Sequence, residues 1–314
     1  MIKIIKKLLT KQNLIIIIHN MKILNINIFI VLLFSFSQAV IAQNIFNEEW
    51  LNKDKQILNN FLLVLETGDF DLNTLKNING IKISNEYGNL GLGYKKTIYY
   101  NNGGYTAITI KMLLDPNNNI IKYKITFSAN LDVFNILDND YHLYIVFKNY
   151  IKDINGNYIT WKFEKTMDEL FSRMIISFNE YFGINENIII PNNILNDYYL
   201  LIDPFNDDIY GFNVGIAGSV PSSRLAIEKI KKVNNNYNIL KLIMASPNPI
   251  GRIYAIEAIS NGKINNIIND KIYSNILNKL IRLKIPIEAG SGCFVTNITI
   301  DSYEKINEAM KFIF

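Results

Sequence analysis

The sequence predicts an α+β fold, and changes in the hydrophobic period along the chain are the basis for this prediction. Up to about residue 65 and after residue 220, apolar residues recur at helical spacing, whereas between 97 and 163 they alternate as in strands. We therefore expect an antiparallel β-meander packed with helices, followed by an all-helical C-terminal region. The corresponding division is a signal peptide over residues 1–42, an α+β domain over 43–219 and the helical region over 220–314.

Residues 21–42 have the order of a secretory signal peptide. Lys22 gives a positive start, residues 28–36 form an apolar core, and residues 40–42 form a small-residue ending. This order predicts cleavage after Ala42 and export to the periplasm or the outside of the cell, with Met21 as an alternative start. The other interpretation is a membrane anchor, but an anchor needs about 20 apolar residues. We expect no stable transmembrane segment after cleavage.

The charge of the chain argues against nucleic-acid binding, and its cysteine content excludes an internal disulfide. The chain has a formal net charge of +4, and residues 1–42 hold five lysines and no acid, so the mature chain carries about −1. Nucleic-acid binding, which needs a clustered basic face, is therefore not expected. Cys293 is the one cysteine, so an internal disulfide cannot form.

The first predicted helix runs over residues 50–65, with one polar interruption at Asp54 and a stop at Gly68. Strands are then predicted from alternation and from turn residues such as Asn155-Gly156. They form a meander of about five strands, at residues 97–100, 108–114, 121–127, 141–154 and 158–163.

A second helix is predicted over residues 167–182, where an apolar stripe ends at Gly183. Thr166 and Glu169 have the spacing of a capping box. We expect this helix to cover an apolar face of the sheet. The last predicted helix, residues 302–314, should bury Ile306, Met310 and Ile313.

Two short segments of the C-terminal region are similar to one another. LAIEKI at 225–230 matches YAIEAI at 254–259, and SPNPIGR at 246–252 leads into the second copy. With its proline turn and small alanines, the segment 220–262 resembles a HEAT-like helical repeat pair. Gly251 stands where that repeat usually has an aliphatic residue, and no third copy follows. The resemblance implies a binding scaffold with a protein or peptide partner.

Cys293 and His142 are the candidates for a nucleophile and its base. A cysteine nucleophile needs a base to form the thiolate, and His142 is the one histidine after the signal peptide. Without a surrounding signature, a buried thiol and a structural histidine in a strand are the preferred interpretation.

Asp203, Asp207 and Asp208, with Asn206, are the candidate Ca²⁺ ligands, because this ion takes six to eight oxygen ligands. Their spacing is not that of an EF-hand, and a solvated acidic turn is the preferred interpretation. One histidine and one cysteine disfavour a zinc site.

Two glycine- or serine-containing motifs have alternative interpretations. Gly88, Gly91 and Gly93 before Lys95 and Lys96 have the composition of a phosphate cradle, but the strand that follows favours hairpin turns.

The segment 260–263 has the S-x-x-K pattern of serine acyl-enzymes. It lies at the end of a predicted helix rather than at its start, so this interpretation is rejected.

The sequence therefore assigns no catalytic, cofactor-binding or metal-binding residue and implies no cofactor. It predicts an exported, non-catalytic binding protein whose partner is an unknown protein or peptide. The alternative is an envelope hydrolase whose carboxylate or hydroxyl groups are assembled only in space.

Overall fold

The computed structural model describes residues 46–78, 80–84, 88–184, 188–206, 208–214, 218–261 and 271–311. It has a seven-stranded antiparallel sheet with helices, a mostly helical region after residue 167, and a separate two-stranded hairpin. The predicted α+β class is thus confirmed. The predicted signal peptide, residues 1–42, lies outside the described residues.

The sheet has the order β1-β3-β4-β5-β7-β6, and β2 also pairs with β3. All its pairs are antiparallel, and the hairpin β8–β9 stands apart from it. The strands are β1 Lys82–Ser84, β2 Asn89–Gly91, β3 Tyr94–Asn102, β4 Thr106–Leu114, β5 Ile120–Asn130, β6 Ile151–Asn155, β7 Tyr158–Thr166, β8 Ile285–Ser291 and β9 Phe294–Ile300.

Eleven α-helices lie within the described ranges, and a single 3₁₀ turn at Asn192–Ile194 precedes α6. They are α1 Glu48–Thr67, α2 Leu72–Lys76, α3 Leu131–Tyr141, α4 Leu143–Val146, α5 Asp168–Phe182, α6 Leu195–Ile202, α7 Ser222–Ile230, α8 Asn236–Met244, α9 Pro249–Asn261, α10 Lys271–Arg282 and α11 Tyr303–Met310.

The sheet separates two hydrophobic cores, because neighbouring residues of a strand point to opposite faces. On β4, Ile110 and Met112 join the core made with α1, α3 and α4. Leu113 points the other way and joins the core made with α5 to α11 and the hairpin. The predicted boundary between residues 219 and 220 stays a prediction, and the second core takes residues from both sides of it.

Asp54, the polar interruption in the first predicted helix, has a structural role. Its fully buried carboxylate accepts hydrogen bonds from the backbone N–H groups of Gly104, Tyr105 and Thr106, and from the Thr106 hydroxyl at 2.7 Å. A Cβ at Gly103 would lie 2.0 Å from Asp54 Oδ1. Helix α1 is thereby fixed to the β3–β4 turn.

The prediction of an all-helical C-terminal region is wrong, because residues 285–300 form the hairpin β8–β9. Ile285, Ile287 and Ala289 are buried at alternating positions, as expected for a strand. Pro286 does not break this pattern, because it is the second residue of β8 and precedes the part of the strand whose outer edge bonds with Tyr210 through Glu288 and Gly290.

The predicted strand over residues 141–154 is also wrong in its first half. Helices α3 and α4 occupy that part, and His142 joins them with a positive φ of 49°. Of the alternating residues Tyr141, Leu143, Ile145 and Phe147, Leu143 and Phe147 are buried and Ile145 is exposed, so they do not share one face. With β1 and β2, the sheet has seven strands rather than about five.

Helix α5 follows the predicted stripe: Met174, Phe178 and Phe182 are buried, and Gly183 ends the helix in the left-handed region. The capping box is wrong, because Thr166 is the last residue of β7 and makes no capping bond.

Helix α11 has its N-cap at Ser302 and buries Ile306. Met310 packs partly against the second core, in line with the prediction. Ile313 lies outside the described residues.

Gly251 has a steric explanation. A Cβ at this position would lie 1.9 Å from the carbonyl oxygen of Leu201. Helix α9 therefore packs so closely on α6 that a side chain at position 251 would not fit.

We predict that Asp54→Ala lowers the free energy of unfolding by about 3–4 kcal/mol, because three backbone N–H groups lose their acceptor. Urea unfolding measures this change. Asp71→Ala, which removes the exposed carboxylate that caps α2, is the control and should cost about 1 kcal/mol. Equal losses in the two variants would contradict the role given to Asp54.

Candidate functional site

Two lysines buried in the sheet hold the loop that follows α6. Lys111 Nζ donates to the carbonyl oxygen of Phe205 and lies 4.7 Å from the centre of its ring. Lys122 Nζ lies 2.6 Å from Asp203 Oδ2, 2.8 Å from Glu164 Oε1 and 5.2 Å from the Phe205 ring. Burial lowers the pKa of Lys122, but the two carboxylates raise it above the ordinary lysine value.

The solvated acidic turn predicted at residues 203–208 is therefore only partly right. Asp203 pairs with a buried lysine, and Asp208 Oδ2 accepts from the Ser222 hydroxyl at 2.7 Å, at the start of α7. Asn206 Nδ2 donates to Ser223 Oγ at 2.8 Å, and Asp207 lies outside the described residues. Within the described ranges, no group of three or more acidic, histidine or cysteine residues could hold a metal ion.

Cys293 and His142 occur in unrelated parts of the fold. Cys293 lies in the β8–β9 turn and is exposed, so the expectation of a buried thiol is wrong. His142 is also exposed and ends α3, where its backbone N–H donates to Asp138 O at 2.8 Å. No hydrogen bond joins the two side chains in the part of the chain that the structure describes.

The glycines at 88–93 form turns, as the preferred interpretation predicts. Gly91 and Gly93 have positive φ values of 96° and 82° and connect β2 to β3. Of the S-x-x-K segment, Ser260 lies in α9, as expected for the end of a helix, and Lys263 lies outside the described residues.

The C-terminal region contains a buried polar network that the sequence did not predict. Arg224 Nη1 lies 2.6 Å from Glu257 Oε1, and the Tyr210 hydroxyl donates to Glu257 Oε2 at 2.9 Å. Tyr254 bonds with the backbone of Gly211. The Glu257 carboxylate raises the pKa of Arg224 despite its burial. The network ties α7 and α9 to the segment before α7. The sequence gives no signal for it, because Arg224 and Glu257 are 33 residues apart and each helix carries other charged residues.

Arg252 is buried without a carboxylate. Its Nε donates to the Ser246 carbonyl oxygen, and its guanidinium lies 4.9 Å from the centre of the Phe178 ring. Burial lowers the pKa of Arg252 well below the ordinary arginine value. The side chain thus joins α9 to α5 through backbone and aromatic contacts.

An open groove of about 1040 Å³ lies where α2, β1, the β2–β3 turn and the β4–β5 turn meet. Three lysines and one aspartate are the charged residues that line it within the described ranges: Lys76, Lys95, Lys96 and Asp71. Asp71 caps α2 through the Thr74 N–H at 2.6 Å, and this bond lowers its pKa. Among the described lining residues, positive charges therefore outnumber negative ones.

A smaller pocket of about 500 Å³ lies at the opposite end of β3, above the turn that Asp54 holds. Its walls include Phe46, Trp50 and Tyr105, and a second aromatic face comes from Tyr158. The two cavities differ in chemistry, since the groove is basic and this pocket has no charged lining residue in the described ranges.

Comparisons of the chain with protein-family models, with curated proteins and with solved structures find no match. In the described part of the chain, no helix combines the length and the apolar character that membrane crossing requires.

We predict that the protein loses stability as the pH rises above about 10. Burial raises the pKa of Tyr123 and Tyr254 to about 12, whereas an unfolded tyrosine ionises near 10. The folded state then keeps protons that the unfolded state releases, so the contribution is complete below pH 10 and is lost as the pH rises towards 12.

The expected loss is about 1–2 kcal/mol at pH 11. Melting temperatures from circular dichroism at pH 8, 10 and 11 measure it, and Tyr123→Phe should reduce the dependence. A melting temperature that stays constant to pH 11 would refute this prediction.

Proposed function

We propose that the protein is an exported, non-catalytic binding protein and that it binds an acidic, extended segment of a partner protein or peptide. The observation that carries the proposal is the groove of about 1040 Å³ with three lysines and one aspartate. The aspartate is engaged at the start of α2, so its charge is partly compensated by the helix N-terminus.

The lining of the groove supports a ligand that contacts several elements at once. The groove is open to solvent, and its walls come from α2, the short strands β1 and β2, the first half of β3 and the β4–β5 turn. Lys95 Nζ donates to Asn118 Oδ1 at 2.6 Å, which places its charge beside the β4–β5 turn. Complementary charge across such a surface accelerates association and excludes basic partners.

The HEAT-like resemblance of residues 220–262 also favours a binding role. Helices α7, α8 and α9 cover this segment, and HEAT-like units bind proteins or peptides. A cysteine nucleophile activated by histidine is disfavoured, because Cys293 and His142 are both exposed and no hydrogen bond joins their side chains within the described residues.

The test is a fluorescence anisotropy titration with a labelled decapeptide of alternating Glu and Ser residues. We expect saturable binding that weakens with added salt, because screening reduces attraction between exposed charges. The double variant Lys76→Glu/Lys95→Glu should weaken binding at least about tenfold.

The matched control is Lys148→Glu/Lys232→Glu, which changes the net charge equally at exposed lysines that do not line the groove. It should bind the peptide nearly as the wild type does. Equal losses in the two variants, or no binding by the wild type, would contradict the proposal.

A further inference from the structure

The neutral aromatic pocket at the β3–β4 turn has features of a built site. Tyr105 lies between two other rings, with centroid distances of 5.2 Å to Phe46 and 5.3 Å to Trp50. Trp50 is 45% exposed and Tyr158 is 60% exposed. Large aromatic side chains that remain accessible in a concave region are the usual anchors of a bound molecule.

The pocket wall is held rigidly from beneath. Asp54 accepts the N–H groups of Gly104 and Tyr105, and the Tyr105 hydroxyl accepts from the Asn47 N–H at 2.9 Å. A Cβ at Gly104 would lie 2.2 Å from Trp50 Cβ. The turn and α1 therefore pack directly against each other at the base of the pocket.

The polar lining of the pocket consists of amides and hydroxyls. Among the twelve lining residues, all in the described ranges, none carries a charge. Asn130 uses Oδ1 to cap α3. No hydrogen bond in the described part of the chain uses Asn130 Nδ2 or the side-chain amide of Asn102. These amides remain able to bond with a ligand that is itself neutral and polar.

We propose that this pocket binds a neutral saccharide. A sugar ring has apolar C–H faces that pack on aromatic rings and hydroxyl edges that bond with amides, and it carries no charge to be left without a partner. The volume of about 500 Å³ lies within the range of small-molecule sites, which is about 300–1,000 Å³. A charged ligand would find no opposite charge among these lining residues.

The chain contains only two tryptophans, which gives a direct readout. Trp50 lines the pocket, and Trp161 is 6% exposed and belongs to the core on the α1 side of the sheet. The two indole N–H signals in a ¹H–¹⁵N spectrum are followed while maltotetraose, cellotetraose or tetra-N-acetylchitotetraose is added to about 10 mM. We expect at least one sugar to move the Trp50 signal saturably and to leave the Trp161 signal in place.

Tyr158→Ala should weaken this response about tenfold, because it removes one aromatic face. Tyr199→Ala, at a tyrosine of 52% exposure on α6 that does not line the pocket, is the matched control and should leave the response unchanged. Lys76→Glu/Lys95→Glu should also leave it unchanged, so that the saccharide site is tested separately from the groove.

Three outcomes would overturn the proposal. One is a Trp50 signal that none of the three sugars moves. Another is a response that Tyr158→Ala leaves within twofold of the wild type. The third is an equal response to a neutral Gly-Ser decapeptide, which would assign the pocket to peptides instead.

Discussion

Two buried lysines on one face of the central sheet determine how the two parts of this protein fit together. Lys111 and Lys122 point to the face of β4 and β5 opposite α1, and between them they hold Phe205 and Asp203. A buried ammonium group costs several kcal/mol unless it has partners. The loop after α6 and Glu164 of β7 supply these partners, so this face of the sheet becomes an interior surface and the C-terminal helices have a fixed place on it.

This arrangement explains why both cavities lie at the ends of the sheet. The middle of each face is covered, one by α1, α3 and α4 and the other by α5 and the helices that follow it. Turns and short edge strands remain accessible, and they carry the basic groove at one end and the neutral aromatic pocket at the other. Asp54 fixes the β3–β4 turn through buried hydrogen bonds. The two lysines fix the loop after α6 in the same way.

Local patterns predicted much of the fold. Periodicity located α1, β4, β5 and α5, and Gly68 and Gly183 marked the ends of the two helices. The hairpin β8–β9 was missed because Pro286 and the glycines at 290 and 292 mask a strand pattern. The candidate site could not be predicted, since alternation identifies Lys111 as polar but cannot show that Phe205, far along the chain, covers it. Both cavities combine residues from separate segments, and only the fold brings these together.

The most direct test of the central claim is a double-mutant cycle on Lys122 and Asp203. Lys122→Met keeps the aliphatic stem against Phe205, and Asp203→Asn keeps the size of the side chain. The free energy of unfolding is measured in urea for the wild type, both single variants and the double variant. If the lysines fix the C-terminal part on the sheet, the coupling energy should be about 1–3 kcal/mol. Additive effects, with coupling below about 0.3 kcal/mol, would contradict the account.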